Sequence, residues 1–206
     1  MVSLARSTHV DASNLPKPWV LPGAGLAVFH GRPETPRLSH YFLPHALMRG
    51  RRVLYLDGAN RFDPLLLARL ARHGGQAPGD FSARVRVARA FTCFQLTELL
   101  ARIPRILGQF AADALIVTGL PELYFDEDVR EHEAQVAFRR ALAALRALRP
   151  LPLGVAVFSD ATSFQTARRE MFRQLVSQAS DVWRFELDGD GRPRLVGEKA
   201  ALPLPA

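Results

Sequence analysis

The chain has one cysteine, Cys93, so no disulfide can form within it. Its stability must come from a packed core, and a reducing cytoplasm is the expected setting. Lysine is nearly absent too. Of the 27 Lys and Arg residues only Lys17 and Lys199 are lysine, although the formal net charge is +7. No apolar run reaches the roughly eighteen residues that would cross a membrane, so no membrane contact is expected. The polar opening "MVSLARSTHVDASNLPKPW" lacks the apolar block of a secretory signal. The six histidines have no HExxH-type spacing and there is no cysteine pair, so neither a metal site nor a cofactor is expected; most of the histidines read as surface or turn residues. There is no internal repeat, and Cys93 has no histidine close in sequence, which reads as a buried inert thiol.

What is present suits one compact domain. The chain has 206 residues, 48% of them hydrophobic. Residues 1–22 read as an extended lead-in, because Pro16, Pro18 and Pro22 block regular structure. Residues 23–199 form the core domain and 200–206 a short tail. Charge is uneven along the core. Residues 61–105 are rich in arginine, whereas "PELYFDEDVREHE" (121–133) is strongly acidic. A basic balance permits nucleic acid or an acidic partner.

Strands and helices alternate. "GLAVF" (25–29), "RRVLYLD" (51–57), "DALIVTG" (113–119) and "LGVAVFS" (153–159) are apolar runs of the buried, parallel-sheet type. "ARVRVARAF" (83–91) is a strand with arginines on alternate positions. Between them lie helical patterns over 37–49, over "LLLARLARH" capped by Asp63-Pro64 and closed at Gly74-Gly75, over "FQLTELLARIPRILGQF" and over 131–149. "DVWRFELDGDGRPRLVGE" reads as a C-terminal β-hairpin around a Gly-Asp-Gly turn. The order predicts an α/β fold: a doubly wound, mostly parallel sheet flanked by helices, with a C-terminal β-hairpin.

These segments together resemble the ATPase core of RecA-type recombinases, especially the archaeal and eukaryotic branch and its paralogues. "VLYLDGANRFDPLLLARLA" is similar to that family's second core strand and the capped helix after it, and "VRVARAFTCFQLTELL" to the next strand-helix unit. "DALIVTGLPELYFDED" stands where the family has its Walker B strand and first DNA-binding loop, and "GVAVFSD" where a strand leads into the second. The resemblance covers about residues 24–198 and implies a RecA-like fold.

It also implies where a nucleotide site would be. A working Walker A loop, G-x-x-x-x-G-K-[ST], cradles phosphate with backbone N–H groups, reaches it with Lys and holds magnesium with the hydroxyl. In "VFHGRPETPRLSH" (28–40), Gly31 matches the first glycine, but Pro36, Arg37 and Leu38 stand for Gly, Lys and Ser/Thr. Ser39 comes one position late. The general-base position, two residues past Asp57, is Ala59, and the Walker B acid is Thr118. Asp57 also suits a cap on the turn before Asn60. The resemblance therefore implies a pseudo-ATPase with no catalytic residue.

Two further stretches are candidate interfaces. Within the acidic run, Tyr124, Phe125, Asp126 and Glu127 are candidates for docking a protein partner such as a recombinase, a paralogue or a polymerase-like subunit. In "SDATSFQTARREMFRQ", Arg168, Arg169 and Arg173 beside Phe164 and Phe172 have the basic-aromatic mix that suits single-stranded DNA. The leading expectation is a non-catalytic recombinase-like paralogue in DNA repair or recombination. The alternative is an SOS-type accessory, a translesion mutasome component or cell-division inhibitor, which keeps the core without its P-loop.

Overall fold

A computed structural model describes residues 19–199. Within them, seven strands form one sheet: β1 (Gly25–His30), β2 (Val53–Asp57), β3 (Val85–Arg89), β4 (Ala114–Thr118), β5 (Gly154–Phe158), β6 (Asp181–Leu187) and β7 (Pro193–Lys199). Six helices connect them: α1 (Thr35–Met48), α2 (Pro64–His73), α3 (Pro78–Ala83), α4 (Cys93–Leu107), α5 (Glu131–Ala147) and α6 (Arg169–Gln178). The strand order is β3-β2-β4-β5-β1-β6-β7. The first six are mutually parallel, and β7 returns antiparallel to β6. The expected α/β class and terminal hairpin are both present, in an arrangement consistent with a RecA-like core.

Helices cover both faces, which is why the central strands are apolar at every position rather than alternately. α1, α2 and α3 pack on Ala27, Phe29, Val53, Tyr55, Ile116 and Phe158. α4, α5 and α6 pack on Leu26, Val28, Leu54, Leu56, Val117 and Val157. β2, β4 and β5 are buried along their whole length. By contrast β3 is half exposed, because it is an edge strand paired only to β2 among the described residues.

Local signals set several element boundaries. Asp63 caps α2 by accepting from the Leu65 and Leu66 N–H groups, with Pro64 following it. Thr92 caps α4 through Gln95 N–H, and the Gln95 side chain in turn accepts from Phe91 N–H. Asp188 closes the hairpin turn by accepting from Asp190 and Arg192 N–H.

Residues 1–18 of the expected lead-in and the tail 200–206 lie outside the described residues. The last lead-in residues belong to the core: Trp19 and Leu21 are buried, and Trp19 packs on Phe42. Arg51 holds this end in place by donating to the Leu21 and Pro22 carbonyls. Two histidines depart from the surface expectation. His30 and His40 are buried. His40 Nε2 accepts from Asp63 N–H while Nδ1 faces the Arg37 carbonyl, which sets a neutral ring joining α1 to the cap of α2. Burial lowers its pKa, in agreement with that assignment.

Candidate functional site

In an open parallel sheet, ligands bind beyond the carboxyl ends of the strands, and β1 lies where the connections change direction. A ligand bound there would meet the loop after β1. This loop is closed on itself. Arg32 N–H donates to the Thr35 hydroxyl, Thr35 N–H to the Arg32 carbonyl, and Arg37 N–H to the Glu34 carbonyl. Pro33 and Pro36 have no N–H to offer. A phosphate cradle needs several free amides converging on one point, and here most are spent or missing. Glu34 adds a carboxylate at the start of α1, held by Arg32.

The individual positions tell the same story. Gly31 has φ +127, and a Cβ there would lie 2.6 Å from the Phe185 carbonyl oxygen. Its role is to let the loop pass against β6. Pro36 and Leu38 are buried in the first turn of α1, Leu38 as part of the core. Arg37 points outward and is exposed. The Ser39 hydroxyl is buried between the Pro36 carbonyl and the Tyr55 hydroxyl, 2.6 Å from each, so it is not available to a metal.

At the ends of β2 and β4, Asp57, Ala59 and Thr118 do come together. The Asp57 carboxylate accepts from Arg61 N–H, Phe62 N–H and the Thr118 hydroxyl, and Arg89 Nε stands 3.4 Å away. A carboxylate has about four lone-pair positions, and these partners fill them. Thr118 Oγ1 meanwhile accepts from Ala59 N–H. Asp57 thus acts as a clasp for the turn containing Asn60, whose φ is +51. Gly119, with φ +77, allows the two strand ends to meet, since a Cβ there would come within 2.4 Å of the Gly58 carbonyl carbon.

The proposed partner anchors are not surface residues. Tyr124 is fully buried, its ring against Phe138 and its hydroxyl 2.7 Å from that of Thr97. Phe125 is buried as well and meets the Phe164 ring. A short 3₁₀ turn, Glu122–Phe125, rolls both rings inward beneath α5. Asp126 and Glu127 alone remain exposed.

The DNA-contact residues are similarly divided. Arg168 Nη1 donates to the carbonyls of Tyr124 and Asp126, and Nη2 to that of Val129, at 2.7–2.8 Å. Its guanidinium is committed to tying the loop after β4 to the start of α6, and is not free for phosphate. Phe172 packs on the core and against His30. Arg173 is exposed and pairs with Glu170. Arg169 and Phe164 are exposed on the same segment, joined by one long bond from the guanidinium to the Phe164 carbonyl.

Sequence reading missed one cluster. Glu122 belongs to the acidic run 121–133, yet its Oε1 accepts from the Ser159 hydroxyl at 2.5 Å, and its Oε2 is buried without a partner. Asp160 lies beside it. Burial raises the pKa of both carboxyls, and the neighbouring Asp160 charge adds to the rise at Glu122. This acid pair joins the loops after β4 and β5. No local signal announces it, because Glu122 and Ser159 lie 37 residues apart. Cys93, at the start of α4, is buried with its thiol pKa raised chiefly by desolvation, as an inert thiol should be. Among the described residues no group of three or more His, Cys, Asp or Glu could hold a metal ion, and no helix is long and apolar enough to cross a membrane.

No protein-family model matches the chain, and no curated protein matches it. The functional reading therefore rests on the geometry and on the motif resemblance.

Proposed function

We propose that this chain is a non-catalytic, RecA-like paralogue that serves DNA repair or recombination by assembling with other proteins and by weak contact with single-stranded DNA. One observation carries the loss of catalysis. The β1–α1 loop spends most of its amides internally, its lysine and hydroxyl positions are Arg37 and Leu38, and the acid position at the end of β4 is Thr118. The filled lone pairs of Asp57 support the same reading, since that carboxylate has no position left for magnesium. A RecA-like core without its phosphate loop equally suits an SOS-type accessory that binds a polymerase subunit or a division protein. A polymerase-like gene neighbour would favour that second reading, a recombinase or nuclease neighbour the first.

For DNA, Arg169 and Phe164 remain the available contacts, with Arg173 if it leaves Glu170. Two phosphate contacts give a log K against log salt slope of about −1.4, with no preference for sequence and none for ATP. The deciding experiment is calorimetry of the full chain with magnesium-ATP, where no binding heat is expected. Micromolar binding that Arg37→Ala abolishes would overturn the pseudo-ATPase reading.

A further inference from the structure

The outer face of the α4–α5 pair departs from what a solvated surface requires. Both helices run from the carboxyl edge of the sheet back toward its amino edge, since each links two parallel strands, and they pack against each other. The outward positions of such helices should be charged or polar. Here Ala101 and Pro104 of α4 face Ala143, Ala144 and Ala147 of α5 across a trough of about 340 Å³. Thr97 and Leu100, both buried, form its floor. Toward the carboxyl edge the trough continues between Phe94, which is 49% exposed, and Val136. Phe91, 64% exposed, lies just beyond, in the segment leading into α4.

Arg140 lines both halves of this trough. It is exposed, and unlike Arg102, Arg146 and Arg149 it has no hydrogen-bond or ion-pair partner among the described residues. A cation is thus left alone midway along a largely apolar trough about three turns long. Small side chains on both walls allow a third helix to approach closely, and Pro104 has no N–H to give the Leu100 carbonyl at the floor.

We propose that this trough is the docking site for an amphipathic helix of a partner protein, with a carboxylate near the centre of its apolar face placed against Arg140. Apolar residues one turn to either side of that carboxylate would cover Phe94 and Val136 at one end, and the alanines at the other. Charge complementarity selects the occupant: a helix with a lysine at the same point would bring two cations together in a partly dry groove, which is a strong discriminator. Glu133, at the upper end, favours a basic residue about two turns from that carboxylate, so the site also has a polarity. The inference stands on the trough and Arg140 alone. It does not depend on the recombinase resemblance, and loss of ATP binding leaves it untouched.

The test uses the full chain and two labelled synthetic helices of about sixteen residues, long enough to hold helical structure when cross-linked. Both carry leucines on one face; one has Glu at its centre and the other Lys. Fluorescence anisotropy should show the Glu peptide binding at least about tenfold tighter than its Lys twin, roughly one close charge pair's worth. Arg140→Glu should invert that preference, and Ala143→Trp, at an exposed position, should block both peptides by filling the trough. Equal binding of the twins, no binding of either, or full binding to Ala143→Trp would overturn the proposal. So would a dimer of this chain in sedimentation that Arg140→Glu dissociates, because the occupant would then be a second copy.

Discussion

Replacing Arg168 with Ala should destabilise the fold, although the side chain lies among residues that resemble a DNA-contact cluster. Its guanidinium donates three charge-assisted bonds, to the carbonyls of Tyr124 and Val129, which are partly buried, and to that of Asp126, which is exposed. Charge-assisted bonds contribute about 1.5–3 kcal/mol each when well shielded. Allowing about 1–1.5 kcal/mol for each partly buried bond and little for the exposed one gives about 2–3 kcal/mol in all. With a urea m-value of about 2 kcal/mol/M, the unfolding midpoint should fall by about 1–1.5 M. Arg168→Lys should recover less than half of this, since one ammonium cannot span three carbonyls as a planar fork does. Arg169→Ala is the internal control. Its single bond is 3.4 Å long and exposed, so its midpoint should move by no more than about 0.3 M. Urea unfolding followed by far-UV circular dichroism measures all three. Should Arg168→Ala unfold no earlier than Arg169→Ala, the tie between the two loops contributes nothing, and Arg168 returns to the set of free cations.

Tyr124→Ala should cost about 3–5 kcal/mol and Tyr124→Phe about 0.5–1.5 kcal/mol, the first from a core cavity and the second from one lost hydrogen bond, since the Thr97 hydroxyl keeps its bond to the Cys93 carbonyl; calorimetric melting separates them. Gly31→Ala should destabilise by about 2 kcal/mol or more, because its Cβ would strike the Phe185 carbonyl at a positive φ, and the loss should appear in chemical unfolding without any nucleotide present. Glu122, pushed up to about 8 by burial, should make stability decline as pH rises from about 7 to 8. In that window the unfolded chain has already released this proton and the native state still holds it, so raising the pH favours unfolding by up to about 1.4 kcal/mol per unit. The lowered pKa of His40 acts only below about 6.5 and does not interfere. Glu122→Gln should flatten the pH profile of the urea midpoint; an unchanged slope would show that this carboxyl titrates normally.

How far the sequence reaches depends on the distance between interacting groups. The runs "VLYLD", "ALIVT" and "GVAVF" announce buried parallel strands because burial on both faces leaves no polar position before the carboxyl end, where Asp57 and Thr118 stand, a rule that acts within five residues. The Asp63-Pro64 cap and the Asp188 turn are equally local, and both stand where the chain predicts them. That Pro36, Arg37 and Leu38 stand where a phosphate loop would have Gly, Lys and Ser/Thr is legible from residue identity alone. That the loop's amides are turned inward is not, since it depends on how Thr35 folds back on Arg32.

The burial of Tyr124 and Phe125 and the engagement of Arg168 have a different cause. Tyr124 and Phe125 sit in a run of acids, and a window of that composition looks solvated whichever way its rings turn. The burial of Tyr124 is decided by Thr97 and Phe138, on two helices that the sheet order brings together over the same loop, and Phe125 meets Phe164 from the loop after β5. Arg168 reads as a free cation for the same reason: its three acceptors lie 39–44 residues away and are backbone carbonyls, which no residue type reveals. Glu122 and Ser159 meet only because β4 and β5 are neighbours in register, so that their carboxyl ends deliver two loops to one point. Secondary structure and the residues of the β1–α1 loop were therefore determined by residue type within short windows. Which side chains stayed free for a partner was decided by strand order, because pairing between distant segments is what takes charged and aromatic groups off the surface.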